Sequence, residues 1–115
     1  MGTPPKTLLY YLAHPYSSPI DDGERLNAIN ATHIAAKLLE AGYNVYSPLT
    51  HCHPINVIVK FSWEKWMEFD KMMMDRCDAI VLGKDWETSR GCKIERAYFE
   101  AMGKPIYIVD DLLTE

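Results

Sequence analysis

The sequence predicts an α/β fold, a small doubly wound parallel sheet of four to five strands with helices on both faces. Three observations predict it. Short, continuously apolar runs of buried-strand type alternate with longer segments whose apolar residues recur with a 3.6-residue period. Glycines stand where those periodic segments stop. At 115 residues, 48% hydrophobic and 24% charged, the chain fits one domain over residues 1–115, built on a single core that needs neither disulfides nor a structural metal.

The first strand is residues 7–13 (TLLYYLA), bounded by Pro5 and by His14-Pro15. Over residues 22–41, Ala31, Ile34, Ala35, Leu38 and Leu39 fall at helical offsets and Gly42 follows as a stop, so this segment is a helix. Residues 43–47 (YNVYS) form a short strand ended by Pro48, and residues 49–59 read as a loop, with 57–59 ambiguous. Ser62 is placed to cap a second helix, in which Trp63, Trp66, Met67, Met73, Met74 and Cys77 share a face with Asp70 among them. Residues 78–83 (DAIVLG) are the third strand and 84–91 a loop. A last helix over 91–102 carries Ile94, Ala97, Tyr98, Ala101 and Met102 on its apolar stripe, with Gly103 as its stop. Residues 105–109 (PIYIV) are the fourth strand, and 110–115 are a tail left unassigned.

The resulting order, β-α-β-α-β-α-β, implies right-handed crossovers and a flavodoxin- or Rossmann-like arrangement. Ligands in such sheets sit beyond the carboxyl ends of the strands, where the strand order reverses. That directs attention to residues 14–18, 48–53 and 84–91.

Twelve Lys and Arg against sixteen Asp and Glu leave a net charge of −4, which offers no broad basic field to a nucleic-acid polymer. Three cysteines, Cys52, Cys77 and Cys92, with no paired spacing, fit a reducing, cytoplasmic compartment. No window approaches the ~20 apolar residues of a membrane span, and the N-terminus does not read as a signal peptide. His51-Cys52-His53 lacks a second ligand cluster, so a rim position fits it better than a metal.

Two carboxylates carry the chemical interest. Asp70 lies within a Trp/Met stripe, where it must be paired, hydrogen-bonded or placed in a cavity, and where its pKa is expected to be raised. Glu95 lies one turn into the last helix, off the centre of the apolar stripe at its edge, and an ordinary surface glutamate fits the same spacing. Together the two would make the carboxylate pair of glycoside chemistry. In the loop before Glu95, Ser89 can cap the helix, Gly91 lets backbone approach a ligand, and the first-turn N–H groups suit an anion. Tyr16 and Trp86 are candidates to stack on a base or to cover the open end of the sheet. Trp63, Trp66 and Met67, Met72, Met73 and Met74 read as core or as a subunit interface, which favours a homodimer or higher homo-oligomer.

Three motifs, spread in order over nearly the whole chain, resemble the nucleoside 2-deoxyribosyltransferase superfamily and its branch of nucleoside 5′-monophosphate N-glycosidases. Tyr11-Leu12-Ala13-His14-Pro15-Tyr16 is similar to the opening motif that lines the sugar and base site. Asp70, eight residues before Asp78, stands at the place of the catalytic aspartate. Ser89-x-Gly91-x-x-x-Glu95, followed by Ala97 and Gly103-Lys104-Pro105, resembles the glycine/glutamate motif whose glutamate is the nucleophile.

The resemblance implies scission of an N-glycosidic bond, with no metal or redox cofactor. Glu95 attacks the anomeric carbon, Asp70 assists the departing base, Tyr11 belongs to the catalytic set, and the glycosyl-enzyme is resolved by water or a second base. Transferases of free nucleosides typically carry an aspartate at the place of Ser89. A serine there, beside Arg90 and a helix N-terminus, accepts a 5′-phosphate that an aspartate would repel. The implied substrate is therefore a (deoxy)nucleoside 5′-monophosphate, contacted by Ser89, Arg90 and Gly91 and by His14, Tyr16, Ser17, Ser18 and Trp86. A non-catalytic nucleotide-binding module on the same fold is the alternative. An FMN or phospho-acceptor domain is disfavoured, because no phosphate loop follows the first strand and no acidic cluster sits at the strand ends.

Overall fold

The structure, a computed structural model, describes residues 3–113. Among the described residues, β1 (Leu9–Ala13), β2 (Asn44–Tyr46), β3 (Ala79–Leu82) and β4 (Ile106–Ile108) form one all-parallel sheet in the order β2-β1-β3-β4. Each strand's side chains alternate between two covered faces. Tyr10 and Leu12 of β1 and Ala79 and Val81 of β3 pack on Ala31, Ala35 and Leu38 of α1 (Gly23–Glu40). Tyr11, Ala13, Ile80 and Leu82 face the other way, onto Met67 and Met74 of α3 (Trp63–Arg76) and Cys92 and Phe99 of α4 (Arg90–Ala101). With both faces buried, continuous apolar runs are what the strands require. Truncating a fully buried ring such as Phe99 to alanine would cost ~3–5 kcal/mol.

The chain leaves β1 toward β2 on one side and returns to β3 on the other. The strand order therefore reverses between the ends of β1 and β3. The two exits press together there: the Gly83 N–H donates to the Ala13 carbonyl at 2.7 Å. A Cβ on Gly83 would lie 3.0 Å from His14 Cδ2, so glycine leaves the room that His14 occupies.

The strands, α1, α3 and α4 fall where the sequence predicts them, within about two residues at each end, and Ser62 accepts from the Lys65 N–H as the α3 cap. One expectation fails. Residues 49–59 are not a loop, because Pro48–Ile58 is a helix, α2, which packs on α1. Pro48 ends β2 but also opens this helix, at a position where its missing N–H costs nothing. Pro54 lies inside the helix and surrenders one backbone bond, which is the feature that made the segment look broken. Residues 86–88 form a 3-10 turn within the loop after β3, and α5 (Val109–Leu112) continues directly from β4, packing Leu112 into the α1 side of the core. The last two residues of the unassigned tail lie outside the described residues.

The faces of two helices also differ from expectation. On α4 the buried residues are Cys92, Glu95 and Phe99, while Ala97 and Ala101 are exposed. The true stripe is rotated toward the larger side chains, and Glu95 stands at its centre instead of its edge. On α3, Met67, Asp70 and Met74 are buried, whereas Met72 and the indole of Trp63 are exposed.

Candidate functional site

Three elements of the α3/α4 face bring three polar side chains together under the β1 and β3 exits. Tyr11 points from β1 and is fully buried, its ring packed against Phe99 of α4 and Tyr46 of β2 with centroids 5.8 and 6.0 Å away. Its hydroxyl donates to Oε2 of Glu95 at 2.6 Å. Asp70 comes from α3, and its Oδ1 is buried without a hydrogen-bond partner among the described residues. Both carboxylates are 8% exposed. Such groups normally neutralise or pair on burial, so an apolar seat for two of them is chemically expensive.

Burial is also the main cause of their titration behaviour. Desolvation pushes Asp70 up to about 6, opposed by the nearby Tyr11 hydroxyl. Desolvation likewise pushes Glu95 up to about 8, with the Tyr11 hydrogen bond opposing and the charge of Asp70 reinforcing the rise. Because the charge of Asp70 raises Glu95, the two titrate as a coupled pair, and near neutral pH the cluster holds one proton. Tyr11 stays a donor, its own pKa raised by burial and by the two acids.

The carboxylates form one wall of a cavity of about 230 Å³. Ser89, Gly91 and Cys92 at the start of α4 continue that wall, and Trp63, Trp66 and Met67 of α3 stand beside it. The opposite side is built from His14, Tyr16 and Ser17 after β1, Glu24 of α1, and Pro48, Leu49, Cys52 and Asn56 of α2. Lys60 and Phe61, between α2 and α3, complete the rim. Ser89 accepts from the Cys92 N–H at 3.2 Å, so its oxygen caps α4 while its proton stays available to a ligand. A Cβ at Gly91 would meet nothing nearer than Ser89 Oγ at 3.9 Å, so that wall is open for lack of a side chain. His14 is held by a 2.8 Å bond to the Pro15 carbonyl, which can only accept. Nδ1 therefore carries the proton and Nε2 is the free nitrogen of the neutral ring. Desolvation lowers the His14 pKa, which keeps the ring neutral.

Of the residues expected at the site, Glu95, Asp70, Ser89, Gly91, His14, Tyr16 and Ser17 line this cavity, and Tyr11 reaches it through Glu95. Three do not line it. The Arg90 guanidinium lies 5.0 Å over the exposed ring of Trp63, because the first residue of α4 points outward when Cys92 and Glu95 point in. Ser18 accepts from the Ile20 N–H in a turn, and its hydroxyl would lie 2.1 Å from a Cβ on Gly23, so it packs against the start of α1. Trp86 sits in the 3-10 turn, packed on the α3/α4 core with the Arg96 guanidinium 5.6 Å over its ring.

Other residues were misread or missed. Trp63 and Trp66 were expected in a core or interface, yet both stand on the cavity wall. Asn56 lies in the segment whose sequence reads as loop, and Lys60 and Phe61 lie between that segment and Ser62, so none of the three carries a sequence signal. Lys60 is the one lysine or arginine on the cavity wall among the described residues. Cys52 faces the cavity from α2, while His51 stacks on Phe69 and His53 bonds the Tyr16 hydroxyl at 2.7 Å. Helical geometry separates these three side chains, with each imidazole engaged by a different neighbour.

No helix among the described residues is long and apolar enough to cross a membrane. No curated protein matches the sequence. A family described as "Domain of unknown function (DUF1937)" matches residues 9–111, a stretch that contains every residue of the cluster and of the cavity. The chain belongs to that family.

Proposed function

We propose that this protein is a cytoplasmic enzyme that cleaves or exchanges the N-glycosidic bond of a (deoxy)nucleoside 5′-monophosphate, as its resemblance to the nucleoside 2-deoxyribosyltransferase superfamily implies. The observation that carries the proposal is the buried Tyr11–Glu95 hydrogen bond with Asp70 nearby, the two carboxyl groups opening on one cavity at the sheet's switch point.

The reaction needs one carboxylate ionised and one protonated, which is the charge state of a pair sharing one proton. Glu95, ionised, attacks the anomeric carbon as the bond to the base nitrogen breaks. The electron pair of that bond leaves with the base, and Asp70 delivers its proton to it. Because burial lifts Glu95 further than Asp70, about 8 against about 6, the shared proton rests on Glu95 and passes to Asp70 before attack; the Tyr11 bond to Glu95 Oε2 and the positive charge developing on the sugar then support the ionised Glu95. Water or a second base, deprotonated by Asp70, then attacks the anomeric carbon and releases Glu95.

For the 5′-phosphate, the available groups are the Ser89 proton, the open backbone at Gly91 and the start of α4, with Ser17 across the cavity. Arg90 drops out of this role, since its guanidinium is occupied on Trp63. Lys60 takes its place as the cation that offsets the phosphate charge. A homodimer belongs to the same proposal. Val57 and Ile58 are 70% and 83% exposed beside Phe61 and Trp63 at the cavity rim, and a second copy seated there would cover apolar surface and close the cavity.

Incubation with a panel of ribo- and deoxyribonucleoside 5′-monophosphates and the corresponding nucleosides, followed by chromatography, tests the proposal. Free base is expected from the phosphorylated members. Reaction of unphosphorylated nucleosides alone would remove the phosphate assignment. Nucleotide binding without base release would favour a sensing module on the same fold.

A further inference from the structure

The corner between α2 and α3 contains an amide whose bonding is fixed by its neighbours. Oδ1 of Asn56 accepts from the Phe61 backbone N–H at 2.9 Å and from Nε1 of Trp66 at 3.0 Å. Both partners can only donate, so the carbonyl oxygen must be the atom that faces them, and a carbonyl oxygen has two lone pairs. Its accepting capacity is used up. What remains is the Nδ2 amine, a donor. One of its protons is turned toward the Tyr16 oxygen, whose own hydroxyl bonds His53, and the other is free.

Asn56, Phe61 and Trp66 all line the cavity, and the rings of Phe61 and Trp66 meet edge to face at 5.7 Å and 86°. This is an aromatic corner of two nearly perpendicular rings with one donor-only group held in it. Trp66 precedes Asp70 by a single turn of α3, a rise of ~5.4 Å. The amide, bonded to the Trp66 indole, shares the cavity with the carboxylates but is anchored one turn of α3 before Asp70, so a base attached at the reacting carbon can present an edge to it.

We infer that Asn56 is a specificity-determining residue that donates to an acceptor on the far edge of the base, so that oxo bases are preferred to their amino counterparts. The inference rests on the proposed nucleotide site. A carbonyl oxygen there accepts from Nδ2, whereas an exocyclic amine would set donor against donor in a half-enclosed site and leave both unsatisfied. Phe61 and Trp66 supply the stacking surface, which any base can use and which carries no such preference.

Matched pairs that differ at this one group test the inference: inosine against adenosine 5′-monophosphate, and uridine against cytidine 5′-monophosphate. Base release is measured for the native protein and for Asn56→Asp. Affinity is measured by titration calorimetry in a Glu95→Gln background, with and without the Asn56 change. The aspartate keeps an oxygen for Phe61 N–H and Trp66 Nε1 but replaces the donor by an acceptor. The native protein is expected to favour the oxo member by about tenfold, and Asn56→Asp to abolish or reverse that ratio. An unchanged ratio in Asn56→Asp, or a native ratio near one, overturns the inference while leaving cleavage intact. Absence of base release with a tenfold, Asn56-dependent affinity ratio would overturn the proposed reaction and keep the inference. If Asn56→Asp does not fold, Trp66→Phe removes the indole donor that orients the amide and keeps an aromatic wall, and it should bring the ratio toward one.

Discussion

The Tyr11 hydroxyl and Glu95 Oε2 are 2.6 Å apart across 84 residues of sequence, in a buried bond. A strand residue and a helix residue meet there because β1 and α4 share one face of the sheet. The bond supplies the one donor that Glu95 has among the described residues, and it is where the proposed chemistry is most exposed to test. Tyr11→Phe keeps the ring contacts with Phe99 and Tyr46 and deletes only the donor. Without it the ionised form of Glu95 loses support, so kcat should fall about 10- to 100-fold and the acidic limb of the pH–rate profile should move upward. An unchanged profile would show that the hydroxyl does not act on the reacting carboxylate.

A pair sharing one proton makes the rate bell-shaped in pH. Activity is expected between limbs near 6 and 8, the values to which burial lifts Asp70 and Glu95, assigned to the pair as a whole. A rate that rises steadily to pH 10 would contradict a protonated acid in the mechanism.

Stability should follow pH in the opposite sense from that of a salt-bridged carboxylate. Glu95 rises from 4.5 to about 8 on folding, and Asp70 from 3.8 to about 6. The folded state thus holds protons that the unfolded chain has released. The associated stability is complete below the unfolded values and is lost as pH climbs through the folded ones. The melting temperature should therefore fall between pH 5 and pH 9. Glu95→Gln, which can still accept from Tyr11, should flatten that fall and stabilise the protein at pH 9 by on the order of a few kcal/mol. Equal pH dependence in the two proteins would mean that Glu95 is not buried as described.

The phosphate assignment turns on Ser89. Ser89→Asp preserves the α4 cap, since aspartate caps helices as well as serine does, but places a negative charge in the cavity. Turnover of monophosphates should fall at least tenfold while that of nucleosides does not. Lys60→Met should weaken monophosphate binding alone, and Arg90→Ala should leave it unchanged because that guanidinium lies on Trp63. KM values for paired nucleosides and nucleotides check all three.

Much of this architecture is legible in the chain. Leu12 and Val81 sit in runs that only a doubly covered strand explains, and Asp70 betrays the cavity because a carboxylate has no other business in a Trp/Met stripe. Glu95 is harder to read. Counting Ala97 and Ala101 as core displaced it to an edge, whereas the sheet selects the larger Cys92 and Phe99 and carries Glu95 inward with them. The two prolines of α2 hide that helix in the sequence, and Asn56 with it, while Lys60 and Phe61 follow the helix in a stretch that has no periodic pattern. Arg90 stands between the cavity residues Ser89 and Gly91, and Trp86 in the turn before them, but local sequence does not say on which side of a helix start a side chain leaves. That is decided by what the rest of the fold buries.

The central claim is that Glu95 attacks the anomeric carbon. Rapid acid quenching during turnover of a deoxyribonucleoside 5′-monophosphate, followed by peptide mass mapping, addresses it most directly. Attack by Glu95 leaves a deoxyribosyl-5-phosphate adduct on Glu95 that is absent in Glu95→Gln, and base release in that variant falls by ~10³-fold or more. An adduct on Asp70, or undiminished base release from Glu95→Gln, would contradict it.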